Sequence, residues 1–86
     1  MAKYLISYDL NSPGKNYNDL ITRIKSYSWA KICKSAWAIS STSSAAQIRD
    51  DLINYIDTND ILFVCPCDGW ASYGLPKEVV EWLNNH

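Results

Sequence analysis

The chain has 86 residues, 48% of them hydrophobic and 20% charged, with a formal net charge of −1 and a pI of about 5.6. This length makes a single domain, residues 1–86, and this composition excludes a disordered chain. The charge argues against strong non-specific binding of duplex DNA, which rests on many Lys and Arg contacts to phosphates, but leaves room for a short basic patch or a small nucleotide ligand. So small a domain buries a limited share of its surface, and its stability is expected to be marginal unless it is stapled or oligomeric. Four Trp, six Tyr and one Phe are more aromatics than one small core encloses. Some are expected at a binding surface or an interface.

The first element is an apolar strand, Lys3 to Asp9, that ends in an acid and a turn. An unpaired buried carboxylate is costly, so Asp9 is expected at the sheet's end, near solvent. Asn11-Ser12-Pro13-Gly14-Lys15-Asn16 is a dense turn cluster, in which Asn16 or Ser12 can start a helix. Tyr17, Leu20, Ile21, Ile24 and Tyr27 recur at helical spacing, with Asp19, Arg23 and Lys25 off that stripe. From Trp29 the period becomes two. Trp29 to Lys34 and Ala36 to Ser40 read as strands, joined at Lys34-Ser35 by a tight hairpin or by a bend in one long strand.

Ser41-Thr42-Ser43-Ser44 is a polar break with N-cap residues. Ala45 to Asp57 reads as a second helix, with Ile48, Leu52, Tyr55 and Ile56 inward and Arg49, Asp50 and Asn54 outward. Ile61 to Cys65 is a continuous apolar run and predicts a fully buried strand. Asp68 to Gly74 is a Gly-bounded aromatic loop or a short edge strand. Pro76 suits the first turn of a last helix whose apolar face is Val79, Val80, Trp82 and Leu83.

The three cysteines, Cys33, Cys65 and Cys67, are an odd set with no apolar leader before them. They point to free thiols in a reducing cytoplasm. Cys65-Pro66-Cys67 is spaced too tightly for a zinc pair, so small buried side chains are expected. No apolar run reaches membrane-spanning length.

The element order predicts an α+β domain of the ferredoxin-like βαββαβ plan. It has a four-stranded antiparallel sheet, two helices on one face, and an extra C-terminal segment and helix. The other face asks for a partner or for that helix.

Strand-then-Tyr-Asp in Tyr4 to Asp9, a helix, and Cys33-Lys34-Ser35-Ala36-Trp37 before a Ser-rich turn give the chain a family resemblance. It resembles the small ferredoxin-like CRISPR-associated subunit of the spacer-acquisition complex and the virulence-associated protein D ribonuclease toxins. Its Tyr-Asp-Leu-Asn start and Trp-rich end are most similar to SinR-like relatives of both. The resemblance implies a homodimer in which the first-strand aspartates approach each other. In some members it also implies a divalent metal between them and cleavage of RNA or DNA. Carried over, Asp9 is the catalytic and metal-binding candidate, with Mg²⁺ or Mn²⁺ as cofactor, and Ser35 matches the serine of the family's Gln-x-Ser-aromatic pattern. Cys33 stands where that pattern has Gln. Asn11, Ser12 and Lys15 stand where the CRISPR subunit often has an Arg-rich segment, which argues against a role in CRISPR adaptation.

The remaining candidates come from residue chemistry. Trp70 and Tyr73, with Trp37 and Tyr8, are candidates for stacking on a base, and Gly69 and Gly74 for close backbone approach. Tyr8, Asn11, Ser12, Lys15 and Ser35 complete the ligand-binding set. Arg23, Lys25, Lys31 and Lys34 form the densest basic segment, a solvated face or a set of phosphate contacts, with Arg23, Lys31 and Lys34 the phosphate-contact candidates. Ser35 is discounted as a nucleophile, because the one histidine, His86, is expected at a frayed terminus. Two functions remain in view. One is a homodimeric module that binds nucleic acid or nucleotide, including a phage or defence-associated form that sequesters a nucleotide signal or binds a protein partner. The other is a metal-dependent endonuclease with Asp9 from both subunits.

Overall fold

The computed structural model describes residues 1–12, 14 and 16–86, and Lys15 lies outside the described residues. It is an α+β domain with a four-stranded antiparallel sheet and three helices. The elements run β1 (Ala2–Asp9), α1 (Asn18–Ile24), β2 (Ser28–Cys33), β3 (Ala36–Ser41), α2 (Ala45–Leu52), a single 3₁₀ turn (Ile53–Tyr55), β4 (Ile61–Pro66) and α3 (Lys77–Asn85). The strand order is β2-β3-β1-β4, so the first strand is central. Lys34-Ser35 is a tight hairpin turn, which settles the alternative the sequence left open. Residues 68–74 form a loop rather than an edge strand.

The period-two alternation of β1 divides the molecule. Tyr4, Ile6 and Tyr8 point to one side and join Trp37 and Ile39 of β3, Leu20 and Ile24 of α1, and Ile48 and Leu52 of α2 in the main core. Leu5 lies on the other side, where Ala30 and Ala38 meet Val79 and Leu83 of α3 in a second, smaller cluster. The C-terminal helix therefore covers part of the face that the two inner helices leave open. Lys3 holds it there by donating to the carbonyl of Leu83 at 3.0 Å, in the last turn, where the helix dipole favours a cation. The helix-period readings hold in position, but the second helix is shorter than the predicted Ala45 to Asp57: α2 ends at Leu52 and the 3₁₀ turn follows, with Tyr55 and Ile56 still packed on the core. Ser44 and Gln47 close a capping box at the start of α2.

The run Ile61 to Cys65 departs from expectation. It forms an edge strand instead of a fully buried one, and Ile61 and Phe63 are each 59% exposed. Their partners on β1 are Asp9 and Ser7, on the stretch of that face which α3 does not reach. A continuous apolar run satisfies a strand with both faces covered, but it does not supply the cover.

The two inner helices are tied by one polar triad. Arg23 Nε donates to both carboxylate oxygens of Asp51 at 3.0 and 2.9 Å, and the Tyr27 hydroxyl donates to the same group at 2.7 Å. Burial pushes the Asp51 carboxyl up, but the hydrogen bonds from Arg23 and Tyr27 and the guanidinium charge together hold it below its ordinary value. Burial, then the hydrogen bond to Asp51, push the Tyr27 phenol up to about 12. The signs give two limits. A depressed carboxyl contributes stability above its unfolded pKa and loses it as pH falls through the folded value. A raised phenol contributes fully below about 10 and loses it as the unfolded chain ionises on the way to about 12. Urea midpoints are expected to fall below pH 4 and again between pH 10 and 12, with the alkaline fall absent in Tyr27→Phe. An unchanged alkaline fall in that variant would show that Tyr27 is not its source.

Candidate functional site

The sequence-derived candidates fall into three places. The first is the sheet end at Asp9. Asp9 is exposed, and among the described residues its carboxylate makes no hydrogen bond or ion pair, as expected for an acid at a strand terminus. The amide of Tyr8 donates to the carbonyl of Ser35 at 3.0 Å, so the hairpin turn with Lys34 and Ser35 lies beside the end of β1. Asn11 and Ser12 lie at this end too, but they are occupied. The Asn11 amide donates to Asp60 at 2.7 Å and its side chain to the carbonyl of Asn59 at 3.1 Å, while the Ser12 hydroxyl donates to Asn59 Oδ1 at 2.8 Å. They brace the 59–60 turn. Among the described residues, no group of three His, Cys, Asp or Glu is placed to hold a metal ion.

The second place is a cavity of about 620 Å³ on the α3 side of the sheet. Leu5, Ile32, Ala38 and Cys65 form its floor, and the loop from Gly69 to Leu75 forms its roof. Trp70 is half-buried against the α3 cluster, whereas Tyr73 stands wholly in solvent at the rim. Gly74 takes a φ of +85°, a conformation in which a side chain is strained, and so allows the loop to turn back into α3. Gly69 has no such φ and open space where a Cβ would stand, so close packing does not require glycine there. All three cysteines line this cavity. They are free thiols; Cys65 and Cys67, expected to be buried, are half-buried here, and Cys33 is exposed. Leu5 and Asp9 are four residues apart on β1, about 13 Å along the strand, so the cavity and the carboxylate are separate.

The third place is the side of the sheet facing α1 and α2. Tyr8 and Trp37, expected beside the aromatic loop, are core residues here, with Trp37 Nε1 donating to the Tyr8 hydroxyl at 3.0 Å. They do not line the cavity. Arg23 is engaged by Asp51. Lys31 places its ammonium 5.1 Å from the Trp37 ring centroid. Sequence reasoning missed Trp29, which is 39% exposed and meets Trp37 edge-on at 5.3 Å between centroids. The signal was present, since Trp29 and Lys31 are two apart on one strand and so share a face. The last residue is also better held than expected. His86 stacks on Trp82 at 4.2 Å, donates to or accepts from Ser28 Oγ at 3.3 Å, and lies 2.8 Å from the Trp82 carbonyl.

Comparison with protein-family models, with curated proteins and with solved structures gives no match for this chain. Among the described residues, no helix is long and apolar enough to cross a membrane.

Proposed function

We propose that this chain is a small homodimeric module that binds a nucleotide or nucleic acid on the open side of a ferredoxin-like sheet. The fold reading is supported by the strand order and the connections. β1 and β2 are joined by α1 with β3 between them, and β3 and β4 are joined by α2 with β1 between them, which is two split βαβ units. The observation that carries the binding reading is the cavity beneath the Gly69–Leu75 loop. It is mostly apolar, of a size to take a base, and edged by two aromatic side chains. A base entering it would be held by stacking, with specificity from the loop backbone.

Tyr73 gives a clean test, because a side chain so exposed contributes little to stability. Tyr73→Ala is expected to weaken binding of mononucleotides, cyclic nucleotides or short oligonucleotides by about 5- to 140-fold, the range of one lost stacking contact. The thermal midpoint should not move. Unchanged affinity in Tyr73→Ala and in Trp70→Ala would rule the cavity out as the site.

One observation favours the nuclease as a second reading, namely the exposed, unengaged carboxylate of Asp9. Two copies bringing that residue together would supply the pair of carboxylates that Mg²⁺ or Mn²⁺ accepts. In the same assays, that reading requires metal-dependent cleavage that stops with EDTA and in Asp9→Asn.

A further inference from the structure

The charge of this chain is segregated along its length. Between Asp19 and Asp50 there are five basic residues and no acidic one. The fold then separates those five. Arg23 is paired with Asp51 and Arg49 with Asp50, both acids on α2. Lys25, Lys31 and Lys34 have no acidic partner among the described residues. All three lie along one free edge of the sheet, Lys25 at the C-cap of α1, Lys31 on β2 and Lys34 in the hairpin turn.

Trp29 stands in that row. The Lys25 ammonium lies 5.0 Å from its ring centroid and 5.9 Å from that of Trp37. The Lys31 ammonium lies over Trp37 at 5.1 Å. Both lysines rest on aromatic faces, an attraction that is weak where water reaches it. The exposed Trp29 indole, with Lys25 over it and Lys31 two residues along the same strand face, offers a π-face beside mobile positive charge.

We propose that this β2 edge is a binding site for single-stranded nucleic acid, with a base stacked on Trp29 and the flanking phosphates on Lys25 and Lys31. The site rests on the nucleic-acid reading above and extends it from a cavity for one base to a surface for a polymer. The single-stranded form follows from the chemistry. A base must be unstacked to offer its face to an indole, and three lysines are too few to hold a duplex through phosphates alone. On binding, each ammonium leaves an aromatic ring for a phosphate oxygen, so no buried ion pair has to be broken. Lys34 extends the row for a third phosphate.

The test is fluorescence anisotropy with a labelled twelve-nucleotide single strand across a salt series. Trp29→Ala is expected to weaken binding at least about fivefold, and Trp29→Phe, which keeps a π-face, to restore most of it. Lys25→Gln with Lys31→Gln should reduce the slope of log affinity against log salt by about 1.4, at ~0.7 per phosphate contact on a single strand. A slope unchanged in the double variant overturns the proposal, as does wild-type affinity in Trp29→Ala. Equal preference for heparin or duplex over the single strand also overturns it, since charge alone would then suffice. Tyr73→Ala separates the two readings. If it alone weakens binding, the cavity reading stands and the β2 edge does not; if only the β2 variants do, the reverse holds.

Discussion

Trp37→Ala is expected to remove about 3–5 kcal/mol of stability, the range for deleting a large aromatic side chain from a core. A domain of this length has roughly 4–13 kcal/mol in all, so the loss is a large share of the total and lowers the melting temperature strongly. Trp37 is 1% exposed and belongs to the cluster where β1, β3 and both inner helices meet. Three further losses come with it. The Tyr8 hydroxyl loses the indole N–H, Trp29 loses its edge-on partner, and Lys31 loses the ring it rests on. Trp37→Phe separates packing from hydrogen bonding. It keeps much of the bulk but leaves the buried Tyr8 hydroxyl without its donor, a cost of about 1–3 kcal/mol. Urea denaturation followed by far-UV circular dichroism measures both. A loss below about 1 kcal/mol in Trp37→Ala would mean that the core closes around the gap and that Trp37 is not its centre.

Asp60→Ala is expected to cost about 2–3 kcal/mol, within the range for hydrogen bonds to a charged group. Asp60 accepts from the amides of Asn11 and Asp57, each at 2.7 Å, and the Tyr17 hydroxyl reaches its two oxygens at 2.9 and 2.8 Å. Hydrogen bonds to an ionised acceptor contribute more than neutral ones, and the substitution removes several of them at once. One carboxylate thus joins the turn before β4 to the segment after β1. Asp60→Asn should retain about half the effect, because the amide keeps one acceptor oxygen. Amide hydrogen exchange provides the specific readout, with Asn11 and Asp57 losing protection in Asp60→Ala. Protection kept at both amides would show that Asp60 does not hold this junction.

How much of this was legible depends on what each residue's neighbours encode. The two strands on either side of Lys34-Ser35 were readable because each run alternates, but whether they fold back as a hairpin or continue as one bent strand was not. The helices α1 and α2 were readable because Leu20 and Ile24, and Ile48 and Leu52, repeat at four. Asp9 was placed correctly, since a charge at the end of an apolar strand has one inexpensive location. The misreadings share a cause. Tyr8, Trp37, Trp70 and Tyr73 look alike as aromatic residues, and nothing local says that the first two face α1 and α2 while the others lie on the opposite side. Ile61 to Cys65 has the composition of a central strand, yet its neighbours in space were decided by the rest of the chain. Trp29 went unnoticed because its role depends on Lys25, which arrives from another element.

The central position of the first strand has a consequence for the order of synthesis. β1 is made before any of its partners, which are residues 36–41 on one edge and 61–66 on the other. Its native backbone bonds therefore cannot begin to form until the hairpin has left the ribosome, and cannot be completed until three-quarters of the chain has emerged. The β2–β3 hairpin, by contrast, needs only its own fourteen residues, Ser28 to Ser41. During elongation the hairpin is the first part of the sheet able to exist, and the strand that carries Asp9 can then pair along one edge while its other edge stays bare until residues 61–66 arrive.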